Sequence, residues 1–524
     1  MKLTQGLRLA GTVLNYGYRT LESRMKTLSI EQQLLDLFIN GKTVPSSSGK
    51  SFELINPSTG EVFARASDAS KDDMLSAIAA ARRAFDEGTW PRMSLAERGI
   101  YLKKIAALIR KYAKELADLE SMGCGKTLKH SSFIDVPTAA DCFEYFGNIE
   151  NIFKDRKNKI DAPVESITAF EPMGVVACVI PWNYPLIMAA WKMAPALIAG
   201  NTIVFKPSSL GCASVMRLAQ IVKESAIPEG VVNIVTTTDH GVARILFEHP
   251  DVNMISFTGG TETGKEVMRL ASATAKKLSL ELGGKSPSIV FADCDFDAAI
   301  GGVMSAIFMN QGAMCTAGSR LILEDKIYDK FLSKLVEKTK SLNIGDAMDY
   351  RANFGPVISL AHRDKILGFI ERAKREGATV ICGGKIPDGE KFKNGFYIEP
   401  TILTNVKTDS EIFQEEVFGP VLVVAKFSKT DEAIALANNS KYGLASSIWT
   451  KDLKKAGEVA RRLQCGIVWI NTYGGFYNEV SFGGYKQSGI GRELGIEGLL
   501  EYTQTKHICM DMTPGGKSLV TSWF

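Results

Sequence analysis

The chain has 524 residues, too many for one ordinary hydrophobic core, so two or three domains are expected. Its 45% hydrophobic and 23% charged content is that of a globular protein, and a net charge of +4 argues against nucleic acid or an anionic membrane as partner. Nine scattered cysteines with no C-x-x-C pair, and five histidines with no metal-ligand spacing, argue against a disulfide framework or a metal site and suit a reducing compartment.

Residues 1–30 carry Lys2, Arg8, Arg19, Arg24 and Lys26 against a single Glu22. The first 24 read either as a transit segment to the mitochondrial matrix or as a basic arm on a cytoplasmic protein, with Met25 a natural start. Short strands and turns follow from Phe38, including the turn Asn56-Pro57-Ser58-Thr59-Gly60. Apolar spacing predicts a helix over 72–85 and helices over 95–122, stopped at Gly123-Cys124-Gly125-Lys126. The most apolar stretch, 175–199, is interrupted by Pro181, Asn183, Pro185, Lys192 and Pro195, so it does not read as a membrane span. Strand-like runs at 175–180, 202–205, 232–235, 254–257 and 288–291 alternate with helical patterns. That alternation predicts an α/β fold with a doubly wound parallel sheet of the kind used for nucleotides. A second alternating set, with strands at 378–382, 421–427 and 467–471, predicts another α/β domain interleaved with the first.

Two stretches carry chemistry. In Phe308-Met309-Asn310-Gln311-Gly312-Ala313-Met314-Cys315 an apolar segment runs into a small flexible turn that offers a thiol to a cleft. Nearby backbone N–H groups are expected to lower its pKa and hold an oxyanion. Leu280-Glu281-Leu282-Gly283-Gly284-Lys285 sets a carboxylate in apolar surroundings. A thiol nucleophile and a desolvated base suffice for thioester chemistry, although a lone cysteine in such a setting is more often a buried small hydrophobe. The strand at 254–257 feeds Thr258-Gly259-Gly260-Thr261-Glu262-Thr263-Gly264, with a helix expected from near Lys265. Gly259-x4-Gly264-Lys265 nearly matches a P-loop, but Glu266 stands where a magnesium-binding hydroxyl is required. A dinucleotide turn remains, without the usual G-x-G-x-x-G.

Together with Pro181-Trp182-Asn183-Tyr184-Pro185, Phe205-Lys206-Pro207-Ser208, Glu416-Val417-Phe418-Gly419-Pro420 and Phe482-Gly483-Gly484-Tyr485-Lys486-x-Ser488-Gly489, these stretches resemble the aldehyde dehydrogenase superfamily from about Phe38 to His507. The resemblance implies oxidation of a small-molecule aldehyde to the acid, with NAD as cofactor. Cys315 would be the nucleophile, Asn183 with the Cys315 N–H the oxyanion site, and Glu281 the base that activates water. Lys192 and Glu493 resemble a proton-relay pair, though an ordinary buried ion pair reads equally well. Gly259 and Gly264 match the pyrophosphate turn, Lys206 the adenosine ribose contact, and Glu416 with Phe418 the nicotinamide ribose clamp. Trp182 matches a residue near the adenosine side. The resemblance also implies a dinucleotide-binding domain over 31–149 and 173–283 and a catalytic domain over 284–487. An oligomerisation element at 150–172 and 501–518 would pair subunits into a homodimer or homotetramer.

Departures matter too. Ser209 replaces a Glu that grips the ribose diol, which removes a clash with a 2′-phosphate and leaves NADP possible. Gly260 replaces a Ser, and Thr236-Thr237-Thr238-Asp239-His240 replaces a glycine-rich stretch. The texture is most similar to the betaine-aldehyde and aminoaldehyde branch. There Tyr184 and Trp191 match two walls of an aromatic box for a quaternary ammonium. Met309 and Phe482 stand where tryptophans are expected, and Asp135 matches one acidic channel residue whose companion position holds Thr138. The same tunnel suits an aromatic or medium-chain aliphatic aldehyde. An acyl-CoA-forming enzyme and a catalytically silent structural protein are the remaining readings, disfavoured by Glu281 and by the Cys315, Glu281, Asn183 set respectively.

Overall fold

The computed structural model describes residues 34–516. The basic segment 1–30, and the choice between transit segment and arm, lie outside the described residues.

The β-branched runs form the middle of two mainly parallel sheets. The first has eight strands, with Val232–Ile234, Thr202–Lys206, Val175–Val179, Met254–Thr258 and Lys277–Glu281 adjacent in that order and all parallel. Their side chains are buried on both faces over 175–179 and 254–258, which is why these segments read as unbroken apolar runs. Val175–Val179 comes first in the chain and sits in the centre. The next two strands go to one side, then the chain crosses to the other. A reversal of this kind opens a crevice at the carboxyl ends of the strands. The hairpin Leu37–Ile39/Lys42–Val44 closes one edge, and Gly489–Ile490 pairs antiparallel with Lys277–Glu281 at the other.

The second sheet has seven strands, in the order Thr379–Cys382, Thr401–Thr404, Val421–Phe427, Arg320–Glu324, Pro287–Val290, Ala445–Trp449 and Ile467–Ile470. Only the first pair is antiparallel. The run at 288–291 therefore belongs here and not to the first sheet. A strand the periodicity did not reveal, Lys277–Glu281, completes the first sheet instead and carries Glu281 at its end.

Helix Lys71–Asp86 starts at a capping box between Ser70 and Asp73, an arrangement that satisfies two otherwise orphan amide donors. The helical region 95–122 breaks at Tyr112 into Leu95–Lys111 and Ala113–Cys124. A third, antiparallel sheet joins Thr503–Asp511, Val164–Pro172 and Arg156–Asn158. All but the first residue of Thr503–Asp511 are exposed, and no further strand joins its outer edge over 503–510 among the described residues. No helix among the described residues is long and apolar enough to cross a membrane. Nor does any group of three or more His, Cys, Asp or Glu there suit a metal ion.

Candidate active site

A cavity of about 400 Å³ opens where the carboxyl ends of the first sheet face the second. It gathers Trp182, Asn183 and Tyr184 after Val175–Val179, Gly259 and Gly260 after Met254–Thr258, and Glu281 from the end of Lys277–Glu281. The second sheet's side contributes Cys315, Glu416 and Phe418.

Cys315 follows helix Phe296–Phe308 and a tight 3-10 turn, Met309–Gly312. The small turn expected from the sequence is there, with an unusual backbone. Asn310, Gln311 and Gly312 take left-handed backbone at φ 46°, 52° and 72°. Such strain, about 1–3 kcal/mol for each non-glycine residue, persists only where surroundings over-determine it. Here Asn310 Nδ2 donates to the carbonyl oxygens of Asn183, at 3.0 Å, and Ala313, at 3.3 Å. A β-carbon on Gly312 would lie 2.2 Å from the Gly419 oxygen, so only glycine passes there. The thiol's pKa is not lowered as expected. Burial pushes it well up, and Glu416 and Glu281 push further, outweighing the Thr316 N–H.

Glu281 is 2% exposed, and neither carboxylate oxygen has a hydrogen-bond partner among the described residues. Burial raises its pKa far above the ordinary range, Glu493 adds to this, and Lys192 opposes. Lys192 Nζ donates to Glu493 Oε1 and, at 3.0 Å, to Ser256 Oγ, which meets Tyr502 OH at 2.8 Å. Glu493 Oε2 is left without a partner. Glu493 is also clipped to Phe482 by two backbone bonds of 2.6 and 2.7 Å, so this acid and an aromatic wall are fixed together.

Asn183 Nδ2 donates to the Ala313 oxygen at 2.8 Å, which fixes the amide plane and leaves its second N–H unspent. The Cys315 N–H has no partner among the described residues. Glu416 Oε1 accepts from the Gly284 N–H at 2.9 Å, and burial lifts this carboxyl to about 7. A β-carbon on Gly283 would sit 2.5 Å from Glu416 Oε2.

The crevice suits a dinucleotide. Helix Thr261–Ala271 begins four residues earlier than expected, with Gly260 at its N-cap and no side chain capping its first turn. Space beyond Gly260 is open, so its free amides could receive a phosphate. Gly264 does not belong to that turn. Its N–H is spent on the Gly260 oxygen, and a β-carbon there would lie 2.4 Å from Leu282, so it serves helix–strand packing. Lys206 ends the Thr202–Lys206 strand and Ser209 follows it, and neither lines the cavity. Lys206 Nζ donates to the Pro207 oxygen at 3.3 Å and to no other group among the described residues.

Tyr184, Trp191, Met309 and Phe482 all line the cavity. Two further rings were not foreseen. Phe476 stands 5.9 Å from Trp191 and 5.8 Å from Phe482, and Tyr473 OH donates to the Thr316 oxygen at 3.2 Å. Their run Tyr473-Gly-Gly-Phe476 was the available signal. His362 and Lys365 also line the cavity, and nothing local marked them. His362 packs edge-on to Trp182, its ring nitrogen bonds the Phe418 oxygen at 2.8 Å, and burial holds it neutral at about 4. Asp135 does not face the channel. It is fully buried and paired with Lys126.

The match to known proteins follows this geometry. Residues 43–508 match the model of the aldehyde dehydrogenase family. The chain belongs to that family. It is 45% identical over 491 residues to a betaine aldehyde dehydrogenase of Bacillus subtilis, covering 93% of this chain and 99% of the relative. It is 42% identical to aldehyde dehydrogenase family 2 member C4 of Arabidopsis thaliana, covering 92% and 96%. A crystal structure of betaine aldehyde dehydrogenase from Staphylococcus aureus in complex with NAD+ superposes with a TM-score of 0.90 at 40% identity, covering 94% and 96%.

The strained turn yields a test. Gly312→Ala should cost about 10- to 100-fold in turnover by displacing the Cys315 loop, since a misplacement of about 1 Å is worth that much. Stopped-flow NADH formation measures it, and an unchanged rate would show that the turn does not set the thiol's position.

Proposed function

We propose that the protein oxidises an aldehyde to its carboxylic acid with NAD, and accepts NADP as well. The observation that carries this reading is the meeting of Cys315, Asn183 and a partnerless, buried Glu281 in one cavity.

The buried thiol needs a base to become a nucleophile; ionised Glu281, which shares the cavity and whose proton affinity burial raises, takes the thiol proton and gives it up toward Glu493 before deacylation begins. The Cys315 sulfur then bonds the carbonyl carbon. The free Asn183 N–H and the Cys315 N–H hold the negative charge that develops on oxygen. NAD, when bound along Gly260, Trp182 and Glu416, supplies the acceptor for the aldehyde hydrogen as hydride. What remains on Cys315 is a thioester. Glu281 takes a proton from water as that water attacks the thioester, and the acid leaves with the sulfur restored as leaving group. Glu493 and Lys192 carry the proton away through Ser256.

The substrate reading is betaine aldehyde or an aminoaldehyde. Its support is the relatives named betaine aldehyde dehydrogenase and the aromatic wall of Trp191, Phe476 and Phe482, whose faces attract an ammonium. A flat aromatic or medium-chain aliphatic aldehyde is the second reading, favoured by Met309 and by Asp135 being turned away from the channel. Ser209 in place of a ribose-gripping Glu supports acceptance of NADP. The open strand edge over 503–510 supports pairing into a homodimer or homotetramer, which a monomeric mass in sedimentation would refute. Nine free cysteines suit a cytoplasmic setting.

A kinetic panel of betaine, amino, aromatic and aliphatic aldehydes with both cofactors should give its highest kcat/KM on the cationic aldehydes and measurable turnover with NADP. Preference for an uncharged aldehyde would move the substrate to the second reading. Glu281→Gln should release no more than one NADH per active site, more slowly because the thiol loses its base, and then stall because deacylation loses it too. Sustained turnover would show that another group activates water.

A further inference from the structure

Behind the cavity wall lies a charged cluster that none of these steps uses. Lys126 is completely buried, and its ammonium donates to Glu120 Oε2 at 2.9 Å and Asp135 Oδ2 at 2.6 Å. It also stands 4.4 Å from the centre of the Tyr184 ring. Glu120 Oε1 accepts from the Leu186 N–H at 2.9 Å and from Ser214 Oγ at 2.6 Å. Cys124 gives its thiol hydrogen to the Trp182 oxygen at 3.2 Å. One short segment, from Glu120 to Lys126, therefore grips Trp182, Tyr184 and Leu186. Asn183 lies within that span.

The sequence builds this grip at some expense. Gly125 takes φ 78°, and a β-carbon there would meet the Pro356 oxygen at 2.5 Å, so glycine alone lets the chain turn Lys126 inward. Burying an ammonium and two carboxylates costs several kcal/mol per ion before pairing, and apolar residues of the same volume would often stabilise as well or better. Stability alone does not account for the cluster. What ions and hydrogen bonds offer over apolar contacts is direction, and here the direction is toward the oxyanion turn.

We propose that Lys126 is a positioning residue: set between Glu120 and Asp135 and over Tyr184, it clamps the Trp182–Leu186 turn so that Asn183 keeps its free N–H on the developing oxyanion. The inference rests on the reading of Asn183 as oxyanion donor. It gives a role to Asp135, which lies behind the channel and holds Lys126 from the far side.

The test compares two reactions of Cys315 in the full-length enzyme. The NADH burst requires an oxyanion, whereas alkylation by iodoacetamide, followed by mass on the Cys315 peptide, does not. Lys126→Met should slow the burst about 30- to 100-fold, near the loss for an oxyanion donor, with alkylation within about twofold. On an Asn183→Ala background the same change should cost less than about threefold, since coupled residues do not add. Should Lys126→Met fail to fold, Ser214→Ala and Cys124→Ala, which each remove one neutral hydrogen bond, carry the test with several-fold burst losses and the same coupling. Equal losses in burst and alkylation, or full additivity with Asn183→Ala, would overturn the proposal. If Asn183→Ala itself leaves the burst intact, the oxyanion reading fails and takes this one with it. If Asn183→Ala slows the burst to a measurable residue and Lys126→Met lowers that residue by its full factor, the clamp alone is wrong.

Discussion

The architecture turns on a buried carboxylate that no neighbouring group pairs with among the described residues. Glu281 stands at the buried end of its strand with neither oxygen hydrogen-bonded there, and Glu493 nearby makes its charge more costly still. A lone buried carboxylate answers that cost by holding its proton, so its pKa rises. Burial likewise raises the Cys315 thiol. Two groups of ordinarily different acidity are thereby moved toward strong proton affinity in one cavity, which suits passing a proton between sulfur, water and carboxyl. A more polar cavity would have left Glu281 an ordinary carboxylate and a weaker base.

Around that pair the fold supplies rigidity where the chemistry needs it. The crossover in the first sheet brings Asn183, Gly260 and Glu281 to one edge. Opposite it, the left-handed turn before Cys315 is held by Asn310, whose amide also reaches the Asn183 carbonyl. The loops that carry Cys315 and Asn183, the proposed nucleophile and oxyanion donor, are thus tied to each other across the two sheets. Gly283 and Gly284 let Glu416 and Cys315 pack against the strand end: β-carbons there would sit 2.5 Å from Glu416 Oε2 and 2.1 Å from the Cys315 oxygen.

Much of this was legible in the residues. The β-branched runs at 175, 202, 232 and 254 became strands because both their faces are buried, the condition that makes a strand readable without alternation. The strand at Lys277–Glu281 was not, since its Lys and Ser interrupt the apolar run and its partners lie elsewhere in the chain. Cys315, Glu281 and Asn183 were singled out through their motifs, and the structure brings them to one cavity. The expected lowering of the Cys315 pKa was wrong, because burial and two nearby carboxyls act in the opposite direction. Gly264 looked like a phosphate contact until its packing on Leu282 was seen. Asp135, Lys126, His362 and Lys365 show the deeper limit: their positions depend on which distant elements pack together.

The central claim is that Cys315 carries the substrate as a thioester that Glu281 then helps to cleave. Acid-quenching the enzyme during steady turnover and weighing the Cys315 peptide tests it directly. The account predicts a fraction of that peptide heavier by the acyl group of the aldehyde supplied, rising when Glu281 is replaced by Gln. An unmodified peptide in both enzymes while product still forms would contradict it.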